Sequence, residues 1–115
     1  MSLPEGEIEV SPEQAQAAVG SGGAQLVDVR EDYEYAAGHI EAARHVELQA
    51  LPAQADTLDR DRPVIFQCRS GARSLMAAQA FRQAGFEAYS MAGGLTRWAG
   101  EGRPMRPDGA TVADH

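Results

Sequence analysis

Apolar and polar positions along the chain fall into short blocks separated by glycines. The blocks switch between the two-residue period of strands and the 3.6-residue period of helices. Ile8-Glu9-Val10 alternates as a short strand. Ser11, Pro12 and Gln14 then supply an N-cap, a first-turn proline and a capping-box glutamine, which predicts a helix to about Val19, stopped by Gly20-Ser21-Gly22-Gly23. Gln25 to Val29 reads as a buried parallel strand whose carboxyl end meets solvent, and residues 31–37 as a short acidic helix closed by Gly38. Residues 43–46 suggest another short strand and residues 48–58 a helix. Pro63 to Cys68 is the clearest strand, with proline at its first position, where a missing N–H is tolerated. Beyond Gly71, the apolar face made by Leu75, Met76, Ala78 and Phe81 predicts a helix ended by Gly85. Glu87 to Met91 forms the last strand, Gly93-Gly94 a turn and Leu95 to Ala99 a final short helix.

Strands and helices alternating at this spacing predict an α/β fold, with a mostly parallel central sheet of about five strands and helices on both faces. Residues 1–7 are expected to be an unstructured extension in which Ser2-Leu3 is a remnant of cloning. Residues 8–105 are expected to be the folded domain and residues 106–115 a flexible, polar C-terminal tail. The length of 115 residues agrees, since one domain usually takes about 150.

Composition changes this picture in two respects. Leu, Ile, Val and Phe make up only 20 of 115 residues, a fraction shared with disordered chains. Their clustering into runs, and alanines that bring the hydrophobic content to 43%, favour a folded domain. All 10 basic residues are arginine, which excludes Schiff-base lysine chemistry and a phosphate loop of the Walker type. The absence of Asn excludes N-glycosylation. A single cysteine cannot form an intramolecular disulfide, and no basic segment followed by an apolar one opens the chain, so the expected compartment is the reducing cytoplasm. No apolar run approaches the ~18 residues of a membrane helix, so no membrane partner is expected.

The net charge of -7 is unevenly spread. Residues 1–61 carry 13 acids and 3 arginines, whereas residues 62–115 carry 4 acids and 7 arginines. The acidic total argues against nucleic acid as a partner, while the basic second half can attract a small anion.

That second half holds the thiol. Cys68 ends the clearest strand and is followed by Arg69-Ser70-Gly71-Ala72-Arg73-Ser74, so a strand end, a tight loop, two guanidinium groups and a helix start share seven residues. In open α/β sheets, reactive groups lie beyond the carboxyl ends of strands. Unpaired N–H groups at the loop and helix start, the helix dipole and the arginine charges would each favour a thiolate.

At this loop the sequence resembles the rhodanese family of sulfurtransferases, and the resemblance runs from about residue 8 to Met105. Three motifs occur in the family's order. The first is Asp28-Val29-Arg30-Glu31 with Glu34-Tyr35 and Gly38-His39-Ile40; the second is Cys68 to Ser74; the third is Gly93-Gly94-Leu95 with Trp98, Gly102 and Pro104. The chain departs from the family where Glu41 and Ala42 replace a Pro-Gly pair. The resemblance implies a single rhodanese-like domain in which the Cys68 thiolate takes a sulfane sulfur from thiosulfate or a related donor, carries it as a persulfide and passes it on. The acceptor would be cyanide, a small thiol or a protein cysteine from outside, because the chain has no second cysteine. The loop residues Arg69, Ser70, Gly71, Ala72, Arg73 and Ser74 would bind the anionic donor and persulfide, with Arg73 the favoured anion ligand and Arg69 facing either substrate or partner. No cofactor and no metal are implied; His45 and His115 have no cysteine at metal-ligand spacing.

Other readings compete at several positions. Phosphatases and arsenate reductases of the same fold use a Cys-x5-Arg loop, one residue longer than the Cys-x4-Arg here, whose wider ring fits a tetrahedral oxyanion. A rhodanese-like binding module that turns over little is the second rival, although noncatalytic members commonly lack the cysteine. Asp28, Arg30 and Glu34 are expected to pair with one another and fix the loop, and His39 is expected to be structural. Trp98 and Leu95 read as core, whereas Tyr33 and Tyr35 fit either packing or the rim of the site.

Overall fold

The computed structural model describes residues 3–4 and 6–114, so Met1, Ser2 and Glu5 of the expected extension, and His115, lie outside the described residues. The described residues form β1 (Glu9–Val10), α1 (Pro12–Gly20), β2 (Gln25–Asp28), α2 (Asp32–Ala37), β3 (Arg44–His45), α3 (Leu51–Gln54), β4 (Val64–Gln67), α4 (Ala72–Gln83), β5 (Ala88–Met91) and α5 (Gly94–Gly100). All pairings in the sheet are parallel, in the order β1-β5-β4-β2-β3. The α/β expectation therefore holds, with a sheet that is wholly rather than mostly parallel.

Local signals set the boundaries. The Ser11 hydroxyl accepts the Gln14 N–H while the Gln14 side chain accepts the Ser11 N–H, closing the capping box that starts α1. The helix expected over residues 48–58 is instead broken into α3 and two flanking 3-10 turns, Leu48–Ala50 and Ala55–Thr57. Pro52 suits only the first turn of a helix and restarts it there. The Thr57 hydroxyl donates to the Gln54 carbonyl at 2.6 Å and draws the other end into a turn.

The sheet divides the core in two. Val27, Val29, Val64, Phe66 and Cys68 pack with Ala77, Ala78 and Phe81 of α4 on one face. Val10, Leu26, Ile65, Tyr89 and Met91 pack with Ala15 and Ala18 of α1 and Leu95 and Trp98 of α5 on the other. Alanines at these contacts let the helix backbones approach the sheet, so few large apolar residues suffice to fill two thin layers. The alternation along β4 sends Cys68 to the α4 face, at the carboxyl edge of a central strand.

Residues 103–114 form no helix and run as a strap past the end of α2. The Trp98 indole donates to the Pro104 carbonyl at 2.8 Å, and His39 and Arg106 exchange backbone hydrogen bonds of 2.9 and 2.8 Å. The Thr111 N–H donates to the Ala37 carbonyl at 2.9 Å, and Met105 and Val112 pack against the second core layer. Gly38 lies under this strap in an extended conformation open to any residue (φ 175°). A Cβ there would collide with the Thr111 carbonyl and stand 2.9 Å from Met105 Cε, so the close approach of the strap, rather than a helix stop, requires glycine.

Candidate active site

Cys68 follows β4, and the loop it opens turns into α4 at Gly71, whose left-handed backbone (φ 115°) any side chain would strain. That turn sends the Gly71 N–H back onto Cys68, where it donates to Sγ at 3.1 Å. Sγ also lies 3.5 Å from the Ser74 hydroxyl, which donates to the Gly71 carbonyl at 3.1 Å and sits 2.7 Å from the Ser90 hydroxyl. Burial pushes the Cys68 thiol up, but the Ser74 hydroxyl and the N–H groups of Ser74, Gly71 and Ser70 together outweigh it and bring the thiol below its ordinary value. The thiol is 1% exposed, so these dipoles act in a medium poor in water.

The turn between β5 and α5 clamps the loop from outside. The N–H groups of Leu95 and Thr96 donate to the carbonyls of Cys68 and Arg69 at 2.8 and 3.0 Å. Gly94 permits this contact: a Cβ there would stand 2.5 Å from the Cys68 carbonyl oxygen and 2.6 Å from the Arg69 carbonyl carbon. The third motif of the sequence thus acts on the second.

The two loop arginines meet different partners. Arg73 is spanned by Glu34, with Nη1 on Oε1 at 2.8 Å and Nη2 on Oε2 at 3.0 Å. The Glu34 carboxylate has no exposed surface and also accepts the Glu31 N–H at 3.0 Å, so it caps α2 and anchors Arg73 together. This pairing raises the Arg73 pKa above its usual value. Arg69 reaches outward, 37% exposed, and its Nη2 meets the fully exposed Asp114 of the strap at 3.2 Å. Its Nε is buried and has no hydrogen-bond partner among the described residues.

Of the three residues expected to pair together, Asp28 and Arg30 do so. Arg30 Nε and Nη2 reach the two carboxylate oxygens of Asp28 at 2.9 and 2.8 Å, both groups fully buried, and Nη2 also donates to the Gly38 carbonyl at 2.7 Å. Glu34 pairs with Arg73 instead, because the first turn of α2 faces the start of α4. His39 Nδ1 bonds the Tyr35 carbonyl at 2.9 Å and its ring stacks on Tyr35 at 3.8 Å, a structural setting. Tyr35 also stacks on His45, whereas Tyr33 is exposed. Ala72, on the first turn of α4, and Ser70, in the loop, are both exposed.

Sequence reasoning missed Ser90, Gly94 as a close contact and Asp114. A lone serine in the otherwise apolar β5 was the available signal for the first, and the glycine pair for the second. Nothing local marks Asp114, whose position depends on the path of the strap.

Comparisons with known proteins find relatives in both sequence and fold. The chain is 39% identical over 90 residues to the thiosulfate sulfurtransferase GlpE of Stutzerimonas stutzeri (strain A1501), covering 77% of this chain and 82% of that protein. It is 35% identical over 98 residues to the protein of the same name from Actinobacillus pleuropneumoniae serotype 7 (strain AP76), covering 84% and 91%. The crystal structure of a rhodanese-related protein from Thermoplasma volcanium superposes with a TM-score of 0.79 at 24% identity, over 85% of this chain and 96% of that one, a likeness of fold. The Rhodanese-like domain model matches residues 11–101, which takes in all three motifs but the last residues of the third, and the chain belongs to the rhodanese-like domain family.

Proposed function

We propose that the protein is a thiosulfate sulfurtransferase that works through a Cys68 persulfide. The observation that carries this reading is the buried Cys68 thiol facing the Gly71 N–H at 3.1 Å and the Ser74 hydroxyl at 3.5 Å, at the start of a helix. The Cys68 thiolate attacks the outer sulfur of thiosulfate. A new sulfur–sulfur bond forms as the donor's own breaks, the bonding pair leaves on sulfite, and Cys68 is left as a persulfide. An external thiolate or cyanide then attacks the outer sulfur and returns Cys68 as thiolate. The loop N–H groups stabilise negative charge on sulfur in both steps. The 35–39% identical relatives carrying the thiosulfate sulfurtransferase name support the same reaction class.

Arg69 is the donor ligand in this reading, and Arg73 is a positioning residue. The Arg73 guanidinium is committed to a buried carboxylate, and withdrawing it would strip that charge of two charge-assisted hydrogen bonds. Among the described residues Arg69 is held by an exposed carboxylate, a contact that an incoming sulfonate can replace.

Intact-mass measurement after incubation with thiosulfate, followed by thiocyanate release on adding cyanide, tests the proposal. Wild type should gain one sulfur and release it, while Cys68→Ser should do neither. A wild type that gains no sulfur, or a variant that matches it, would refute the reading and favour a non-turnover binding module.

A further inference from the structure

Three observations meet at the outer edge of the loop. The strap is fixed at Arg106 and Thr111 by backbone hydrogen bonds to His39 and Ala37, so residues 112–114 begin from a defined point beside the site. Asp114 then meets Arg69 Nη2 at 3.2 Å. Arg73, the other loop guanidinium, is occupied by Glu34 through both Nη atoms, which leaves Arg69 as the loop arginine open to an incoming anion.

We propose that Asp114 is a specificity-determining residue: a tethered carboxylate that competes with the anionic group of the sulfur donor for Arg69. This rests on the sulfur-transfer reading for the identity of the donor. Its consequence is selective. A dianion such as thiosulfate must displace Asp114 and is repelled by it, so its apparent affinity falls by the fraction of time the carboxylate is seated. A persulfide donor with an uncharged body makes no claim on Arg69 and is unaffected. The strap therefore biases the loop away from small oxyanionic donors and toward persulfides of thiols or proteins. It does so without touching Cys68, whose sulfur is met by the Gly71 N–H and the Ser74 hydroxyl, whereas Asp114 meets Arg69 Nη2.

The deciding measurement is thiosulfate binding to Cys68→Ser protein, which cannot react, followed by NMR titration. Three proteins are compared: Cys68→Ser alone, with Asp114→Asn, and with Asp108→Asn. Asp108 is an equally exposed acid on the same strap whose neighbour is Arg106 at 3.9 Å, so it controls for net charge. Asp114→Asn should tighten binding by roughly two- to fivefold, the span expected for an exposed ion pair, and the difference should shrink as salt rises. Asp108→Asn should leave the dissociation constant within about 1.5-fold, as expected for an exposed charge away from the contact. On the Cys68 protein, Asp114→Asn should raise kcat/KM for thiosulfate by the same factor and leave it unchanged for the persulfide of 2-mercaptoethanol. Equal dissociation constants in all three proteins, equal gains from Asp114→Asn and Asp108→Asn, or no measurable binding in any of them would each overturn the proposal. A Cys68 protein that never acquires sulfur would instead sink the sulfur-transfer reading, and the binding comparison would still decide the role of Asp114.

Discussion

Arg69 and Arg73 sit four residues apart, follow the same cysteine and carry the same charge, yet the fold gives them opposite tasks. Arg73 has a fully buried carboxylate held on two parallel hydrogen bonds, and its own side chain is 19% exposed. Arg69 meets an exposed carboxylate on the strap, through Nη2 at 3.2 Å. Desolvation separates the two. A pair without water is bound to its geometry because neither charge can be left alone there, whereas a pair in water is exchanged for a fraction of a kilocalorie. The first arrangement suits the scaffold of a loop and the second suits a ligand site.

The largest expected effect breaks the buried half of this comparison. Arg73→Ala leaves the Glu34 carboxylate buried without its cation and should destabilise the protein by about 3 kcal/mol or more, read as the change in urea midpoint at constant slope. Arg73→Lys should recover only part of this, since an ammonium cannot span both carboxylate oxygens. Adding Glu34→Gln to Arg73→Ala removes the buried charge and should restore some stability, a non-additivity that a double-mutant cycle measures directly. Arg69→Ala should change stability by less than about 0.5 kcal/mol, as for other exposed sites. If the two alanine variants unfold at the same denaturant concentration, the distinction between the arginines is wrong.

The next effect breaks the exposed half. Loss of a charged hydrogen bond worth about 1.5 kcal/mol or more should lower kcat/KM for thiosulfate at least tenfold in Arg69→Ala, carried mainly by KM. A folded Arg69→Ala protein with unchanged kcat/KM would return the donor-binding role to Arg73.

How much of this was legible beforehand depended on whether the signal was local. The capping box at Ser11, the glycines after α1 and α4 and the apolar run into Cys68 each act within a few residues, and those elements form where the sequence places them. The helix expected over residues 48–58 failed because Pro52 and Thr57, each a local turn signal, outweighed a weak apolar period in which only Leu51 and Leu58 are buried. At the site, the thiol, the loop and the Asp28–Arg30 pair were readable from spacing and from the resemblance. The partner of Arg73 was not, because Glu34 is 39 positions away and meets it only once α2 and α4 lie side by side. The same holds for Arg69 and Asp114, separated by 45 positions. Charge type is written in the sequence; which charge is buried is a property of the packing.

The smallest expected effect asks whether either arginine sets the acidity of the thiol. Hydroxyl and backbone N–H dipoles are the leading favourable influences on Cys68, and they pull its pKa below the ordinary thiol value against the penalty of burial. A lowered pKa means that the thiolate persists as pH falls below about 8.5 and is lost only as pH drops through the depressed value. The rate of Cys68 alkylation against pH should therefore show its midpoint on the acid side of a free thiol. The Ser74 hydroxyl carries one proton and gives it to the Gly71 carbonyl while the thiol is neutral; on ionisation it can turn to Sγ, with Ser90 still able to donate to its oxygen. Ser74→Ala removes that response and should move the midpoint toward higher pH by roughly half a unit to one unit, the value of a single hydrogen bond to a charged group partly offset by the remaining N–H groups. Arg69→Ala should leave the midpoint where it is while changing KM, because its guanidinium is drawn to the exposed Asp114 rather than to the thiol. A midpoint that follows Arg69 and ignores Ser74 would mean that formal charge, not the fixed dipoles of the loop, makes the nucleophile.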